Sequence, residues 1–243
     1  MVAEVALGQL QRVVVTPEQI QAGRIHLETR QTHYLQRVLR LKVGDRFIAM
    51  NGQGQTWLAE LGEVAATIIT ALEVNSELPD PVILAIALPK GSGFDEVVRQ
   101  VTELGAVQII PIISERTLLQ PNAKKQARWQ KIAAEAAEQS ERTIVPSISA
   151  PIPWKQYLQL QPTGANRFLC WERGDSLALL DALPQHGPIE LAIGPEGGWS
   201  EAEVALALAA GYQPVSLGKR ILRAVTASVA VMAIVAAWQE RSG

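Results

Sequence analysis

The chain has 243 residues, 48% of them hydrophobic, which leaves room for one large domain or two small ones and excludes a disordered chain. Twenty-two Lys and Arg stand against 24 Asp and Glu, a formal charge of -2, so this is no polycation that coats nucleic acid indiscriminately, and RNA or DNA binding needs a local patch. The single cysteine, Cys170, excludes an intramolecular disulfide and argues against a cysteine-based zinc site; no metal is expected.

In chain order, residues 1–10 carry neither a basic start nor a long apolar run, so no signal peptide is expected. Residues 30–46 hold Arg30, Arg37, Arg40, Lys42 and Arg46 against Asp45 alone, whereas residues 47–79 hold four Glu and no Lys or Arg. The first part reads as mostly β. Residues 12–15 are β-branched, residues 45–50 and 55–61 flank the turn signal Asn51-Gly52-Gln53-Gly54, and residues 64–73 form another β-rich run. Between them, residues 32–41 have the spacing of a short helix, with Leu35, Val38, Leu39 and Leu41 apolar. Pro79 and Pro81 punctuate a composition shift, and the domain break is placed there, giving domains 1–76 and 77–243.

The second part alternates. Residues 82–88 and 107–113 are continuous apolar strands, and residues 94–104 between them have helical spacing that Gly105 ends. Residues 124–140 form a helix with Trp129, Ile132, Ala133, Ala136 and Ala137 on one face; residues 146–153 are a proline-rich connection. Strands follow at 167–171 and 190–193. Ser200 and Glu203 form a capping box at the start of a helix that stops at Gly211. A short strand at 215–217 precedes an Ala-rich helix. Apolar strands alternating with helices predict a mostly parallel sheet covered on both faces. The longest apolar stretch, residues 224–238, is 15 residues long, short of the roughly 20 that a membrane span needs, so a soluble, reduced, cytoplasmic protein is expected.

Two segments carry chemistry. In Ile193-Gly194-Pro195-Glu196-Gly197-Gly198-Trp199-Ser200 a strand runs into a loop of three glycines before a capped helix. Such a loop lets the backbone approach a ligand at the carboxyl end of a parallel strand, and a ligand-free tight turn is the alternative. The spacing is neither a dinucleotide fingerprint nor a P-loop. Then Lys219, Arg220 and Arg223 place three cations within five residues at a helix start. The helix dipole disfavours cations there, so an anionic partner accounts for them better than capping, with plain solvated charge the alternative.

With its following Leu217-Gly218-Lys219-Arg220-Ile221-Leu222-Arg223, this glycine loop resembles the bacterial 16S rRNA uracil-N3 methyltransferases of the RsmE type, in the SPOUT superfamily. Further segments agree in order: His33 to Arg40 with Gly44-Asp45, Thr102-Glu103-Leu104-Gly105, Ile110-Pro111, Ser114-Glu115-Arg116, Trp129, and Glu135 to Arg142. Two positions depart from the family pattern. Ala224 and Val225 follow Arg223 where the family carries Thr and Glu, and Arg99-Gln100 stands where it carries Gln-Lys; Arg223 and Thr226 remain.

The resemblance implies an α/β protein: a C-terminal trefoil-knotted SPOUT domain with an N-terminal PUA-like RNA-binding β-barrel, usually a homodimer. It implies S-adenosylmethionine as methyl donor, held by Leu169, Cys170, Trp171 and Glu172, by Gly194, Pro195, Glu196, Gly197 and Gly198, and by Leu217, Gly218, Ile221 and Leu222. The partner is 16S rRNA within the small ribosomal subunit, and no membrane. Arg223 is the expected cation beside the base. Glu196 and Glu172 are candidate proton acceptors, Glu196 equally a carboxylate that fixes its loop. Arg12, Arg30, Arg37, Arg40, Lys42 and Arg46 are expected to hold phosphates, with Arg116, Lys124, Lys125 and Arg128 extending the track; an ordinary basic face is the alternative. Tyr34 and Trp57 read as packing residues that could stack bases. His33 reads as a hydrogen-bonded structural residue, Cys170 as a buried thiol, and the Ala-rich helix as fit for a subunit interface. Two rival functions stay open, another SPOUT RNA methyltransferase or an RNA-binding protein that has lost catalysis.

Overall fold

A computed structural model describes residues 7–117, 123–160, 164–172 and 176–241. The chain forms two compact units, Met1–Glu77 with Ala137–Val145, and Leu78–Ala136 with Pro146–Gly243. By compactness, then, Glu77 goes with the first unit, and so does a later segment that the sequence reading left in the second.

The first unit contains β1 (Arg12–Val14), β2 (Ile20–Gln21), β3 (Arg24–Ile25), α1 (Thr29–His33), β4 (Arg46–Met50), β5 (Thr56–Glu60) and β6 (Ala66–Leu72). One sheet runs β1-β4-β5-β6-β3-β2, antiparallel except for the parallel β1–β4 pair. Its core gathers Val13, Val15, Ile25, Leu35, Phe47, Ala49, Ala59, Leu61 and Ala66. The predicted helix at 32–41 starts earlier, at Thr29, and widens into a π-helical turn over Tyr34–Val38. Gln31 explains the early start: its Oε1 accepts the Glu28 N–H at 2.7 Å and its amide donates to the Val14 carbonyl at 2.8 Å.

Residues 137–145 are fastened to this unit by backbone bonds to Gly52 and Gly54, by Glu138 and Glu141, and by the carboxylate of Glu77. Glu77 accepts from Arg142 Nε and Nη2 at 3.0 and 2.5 Å, from Thr143 N–H at 2.8 Å and from Ile144 N–H at 3.0 Å. The guanidinium is buried, 2% exposed, so a charge that would be costly alone is neutralised in place.

The second unit contains β7 (Val82–Ala87), α2 (Gly93–Glu103), β8 (Ala106–Ile113), α3 (Ala123–Gln139, its end in the first unit), β9 (Ser147–Ile148), β10 (Ile152–Pro153) and α4 (Trp154–Gln159). It continues with β11 (Asn166–Cys170), β12 (Leu177–Ala178), α5 (Leu179–Ala182), β13 (Ile189–Ile193), α6 (Glu201–Ala209), β14 (Gln213–Ser216) and α7 (Ala224–Glu240). Every pairing is parallel, in the order β10-β8-β7-β13-β11-β14-β12, with β9 also on β8. The proline-rich connection at 146–153 thus holds two short strands at the sheet edge, where a missing N–H is tolerated. On one face Ala85, Ile110, Ile112, Leu169 and Ala192 pack under Trp154, Tyr157, Val204, Ala207 and Tyr212. The pleat turns Leu84, Ile86 and Leu191 to the other face, and α7 lies against β7, β13 and α2. The small-residue helix α7 therefore buries Ala224, Ala227, Ser228, Val231, Met232 and Val235 within its own chain.

Glu190, fully buried on β13, accepts from Tyr157 Oη at 2.7 Å and from Tyr212 Oη, with Arg167 Nε 3.6 Å away. Burial first, and the Glu190 charge second, push both phenols well above the usual tyrosine value. No described helix is long and apolar enough to cross a membrane.

Candidate functional site

β13, β11 and β14 are neighbours in a parallel sheet, so their carboxyl ends lie side by side. The loops that leave them close around one cleft of about 630 Å³, its open mouth included. β11 supplies Cys170 and the next residues Trp171 and Glu172; β13 supplies Ile193 and then Gly194, Pro195, Glu196, Gly198 and Trp199. β14 supplies Ser216, followed by Leu217, Gly218, Arg220, Ile221 and Leu222, and α7 closes the wall with Ala224 and Ala227.

Of the residues that the resemblance implied for the donor, Leu169 and Gly197 fall outside this lining. Leu169 is fully buried in the sheet, because its side chain points into the core on the face opposite its neighbours'. Sequence reasoning missed Ile193, Trp199, Ser216, Arg220, Ala224 and Ala227. Ile193, Trp199 and Ser216 lie directly beside residues it did name, so extending each loop by one or two residues would have found them. Ala227 gave no signal, since it arrives by the helical turn that follows Ala224.

The glycine loop is shaped by contacts that need glycine. Gly198 has φ +71 and its N–H donates to the Pro195 carbonyl at 2.8 Å. Gly194 lies against an indole: a Cβ there would stand 3.0 Å from Trp199 Nε1. Trp199 in turn stacks on Trp154 with ring centroids 4.8 Å apart. Ser200 and Glu203 form the expected capping box, with Glu203 N–H to Ser200 Oγ at 3.2 Å and Ser200 N–H to Glu203 Oε2 at 2.9 Å.

Glu196 fixes its loop, its Oε1 accepting the Lys90 N–H at 3.0 Å. Glu172 is exposed at the cleft, its Oε1 3.1 Å from where a Gly198 Cβ would sit. Arg223 is exposed at the N-cap of α7, directly between the lining residues Leu222 and Ala224. Lys219 and Arg220 are exposed too, and among the described residues no acid pairs with any of the three cations. Val225, standing where an acid was expected, does not line the cleft; its Cγ2 lies 3.3 Å from the Cβ position of Gly93 at the start of α2. Cys170 is part-exposed as a residue, yet burial pushes its thiol up to about 12, so it is a neutral wall and no nucleophile.

In the first unit Arg30, Arg37, Arg40 and Lys42 are exposed on and after α1. Arg12 does not join them: it pairs with Glu141 at 2.7 Å and its side chain is 11% exposed. Arg46 is half-buried. Tyr34 is 39% exposed, contrary to the packing role expected for it, because the π-helical turn carries it outward while Leu35 takes the core position. Trp57 does pack on the barrel core. His33 is exposed and its ring makes no hydrogen bond among the described residues, so it is not the expected hydrogen-bonded structural histidine. In the second unit Lys124 is exposed and Lys125 half-buried, while Arg128 pairs with Asp95 at 2.8 Å. Arg116 points elsewhere, donating to the Gly197 carbonyl. Among the described residues no cluster of His, Cys, Asp or Glu could hold a metal.

The profile described as an RNA methyltransferase domain matches residues 76–236, and one described as an RNA methyltransferase PUA domain matches residues 27–71. The chain belongs to the RNA methyltransferase family. Its relative in Synechocystis, named ribosomal RNA small subunit methyltransferase E, is 49% identical over 91% of this chain and 76% of that one. The crystal structure of a protein of that name from Neisseria gonorrhoeae, bound to S-adenosyl methionine, aligns at TM-score 0.85 and 32% identity, covering 92% of this chain and 95% of that one. A methyltransferase from Legionella pneumophila, in complex with the same cofactor, aligns at TM-score 0.84 and 29% identity over 94% and 98% of the two chains. The first unit of this family member is thus its PUA-like part, and the parallel sheet with its cleft is the RNA methyltransferase domain.

Proposed function

We propose that this protein transfers a methyl group from S-adenosylmethionine to N3 of one uridine in 16S rRNA of the small ribosomal subunit, acting as a homodimer. The observation that carries the reading is the single cleft formed by the loops after β11, β13 and β14. Its walls suit the donor. Ile193, Pro195, Leu217, Ile221 and Leu222 offer apolar surface to an adenine ring, and the backbone of the Gly194–Gly198 and Leu217–Gly218 turns offers amides and carbonyls to its polar edges. When bound there, S-adenosylmethionine supplies an electrophilic methyl group on a sulfonium.

The chain's own residues do the rest. N3 of uracil holds its proton at neutral pH, and negative charge spreads over O2, N3 and O4 as that proton leaves. Arg223, beside the cleft and with no acidic partner among the described residues, stabilises this charge. Glu172, exposed in the cleft lining, accepts the N3 proton, while Glu196 holds its loop through the Lys90 amide. N3 sits on the pairing edge of the base, so the uridine must be unpaired or extruded before the cleft can align it. Arg30, Arg37, Arg40 and Lys42 hold phosphates of the same RNA, with Tyr34 exposed among them for stacking.

Mass spectrometry of 16S rRNA from a strain lacking this protein tests the reading. Loss of 3-methyluridine at one position, restored by the wild-type chain and not by Arg223→Ala, is the expected result. Unchanged 3-methyluridine in the deletion strain would refute it.

A further inference from the structure

Arg116 lies outside the cleft lining, and its guanidinium is used within the protein. Nη1 donates to the Gly197 carbonyl and approaches the Gly198 carbonyl at 3.4 Å, while its stem rests on Gly197, Cδ 3.1 Å from that residue's Cβ position. We propose that Arg116 is a positioning residue for the methyl-donor cleft, a strap across the Gly197–Gly198 turn that sets the shape of the site without touching its ligand. The proposal rests on the reading of that cleft as the S-adenosylmethionine site.

The strap is anchored at its base. The turn that carries Arg116 is closed by Ser114 N–H to Thr117 Oγ1 at 3.0 Å and by Thr117 N–H to the Ser114 carbonyl at 3.1 Å. The Glu115 N–H donates to Glu203 Oε1 at 2.9 Å. The other oxygen of that buried carboxylate takes the Ser200 N–H, at the foot of the glycine loop. One side chain therefore holds both the turn that bears Arg116 and the end of the loop that Arg116 grips. On the other side of the loop, Glu196 is fixed to the Lys90 amide. Between these anchors, the Gly197–Gly198 peptides carry no side chain to hold them.

Peptide units are planar and trans, so fixing a carbonyl also fixes the direction of the next N–H. Holding the Gly197 and Gly198 carbonyls at Arg116 turns the N–H groups of Gly198 and Trp199 the other way, the Gly198 N–H onto the Pro195 carbonyl at 2.8 Å, and both of those residues line the cleft. Without the strap, the Gly197–Gly198 peptide keeps its tie to Pro195 but the Gly198–Trp199 peptide can rotate about the glycine at little cost, and the donor has to order it on binding. The position thus affects donor affinity rather than the chemical step. Both contacts run from one nitrogen, Nη1, while the planar guanidinium and its stem lie along Gly197, so a lysine ammonium keeps only part of the grip.

The test is calorimetric titration of S-adenosylmethionine into the full-length wild type, R116K and R116A without RNA, with steady-state methylation of small ribosomal subunits in parallel. R116A should weaken donor binding at least about tenfold and raise the donor KM alike, with kcat at saturating donor kept within about twofold. R116K should recover part of the affinity, and it carries the test should R116A fail to fold. The salt dependence of rRNA binding should not change. Wild-type donor affinity in both variants would overturn the proposal while leaving the cleft assignment intact. So would a fall of about one in the salt slope, the mark of a lost phosphate contact. A wild type that binds no S-adenosylmethionine would overturn the cleft assignment and the proposal with it.

Discussion

Gly194→Ala adds one methyl group where the cleft meets the aromatic layer beneath it. The new Cβ would stand 3.0 Å from Trp199 Nε1 and 3.1 Å from Cδ1 and Cε2, against an ordinary carbon contact of about 3.5–4.0 Å. Something must move by about half an ångström. The indole is poorly placed to yield: it is 7% exposed and stacked on Trp154, whose own Nε1 donates to the Glu203 carbonyl at 3.2 Å. The loop therefore gives way. Overpacking of this kind costs about 1–3 kcal/mol, a fall in Tm of about 2–12 °C for a chain of this size. Because the loop that shifts is also a cleft wall, donor affinity should fall in the same variant. Differential scanning calorimetry and titration with S-adenosylmethionine read the two effects. Trp199→Ala removes the crowding indole, including a buried Nε1 that has no hydrogen-bond partner among the described residues. The double variant should then be more stable than the sum of the single changes by about 0.5 kcal/mol or more. A Gly194→Ala protein with wild-type Tm and donor affinity, or strict additivity with Trp199→Ala, would refute the steric argument.

Glu77→Gln strips the charge from the carboxylate that neutralises a 2%-exposed guanidinium, and should destabilise the first unit by about 3–5 kcal/mol in denaturant unfolding; a loss under about 1 kcal/mol would show that the pair is not needed. Tyr157 and Tyr212 have raised folded-state values, so protons leave the unfolded chain first. Their contribution is whole below about pH 10 and is lost as pH climbs above it, and Tyr157→Phe with Tyr212→Phe should flatten the alkaline limb of a stability–pH curve. Iodoacetamide at pH 8 should alkylate Cys170 at least about tenfold more slowly in the folded protein than in urea, since burial holds the thiol up to about 12; equal rates would contradict that burial.

What the sequence determined is what neighbours along the chain can settle. The apolar runs at 82–88 and 190–193 became β7 and β13, since a strand covered on both faces needs apolar residues at every position. Ser200 and Glu203 marked the start of α6 because a capping box involves only residues three apart. The glycine loop and the cation cluster were legible for the same reason, and through them most of the cleft.

The tertiary structure decided whatever depended on distant partners. Arg12, Arg116 and Arg128 read alike as basic residues in a row of letters. Folding sent Arg12 to Glu141, Arg128 to Asp95 and Arg116 to the Gly197 carbonyl, and left Arg30, Arg37, Arg40 and Lys42 in solvent. Glu77 looked like one acid in an acidic stretch until the chain returned Arg142 to it 65 residues later. Leu35 was legible as part of the apolar helix face and is buried, but Tyr34, expected to pack, is carried outward by a π-helical turn that no local pattern announces. A side chain's identity limits what it can bond, but which acceptor it meets is set by the order of strands in the sheet, and that order is a property of the whole chain.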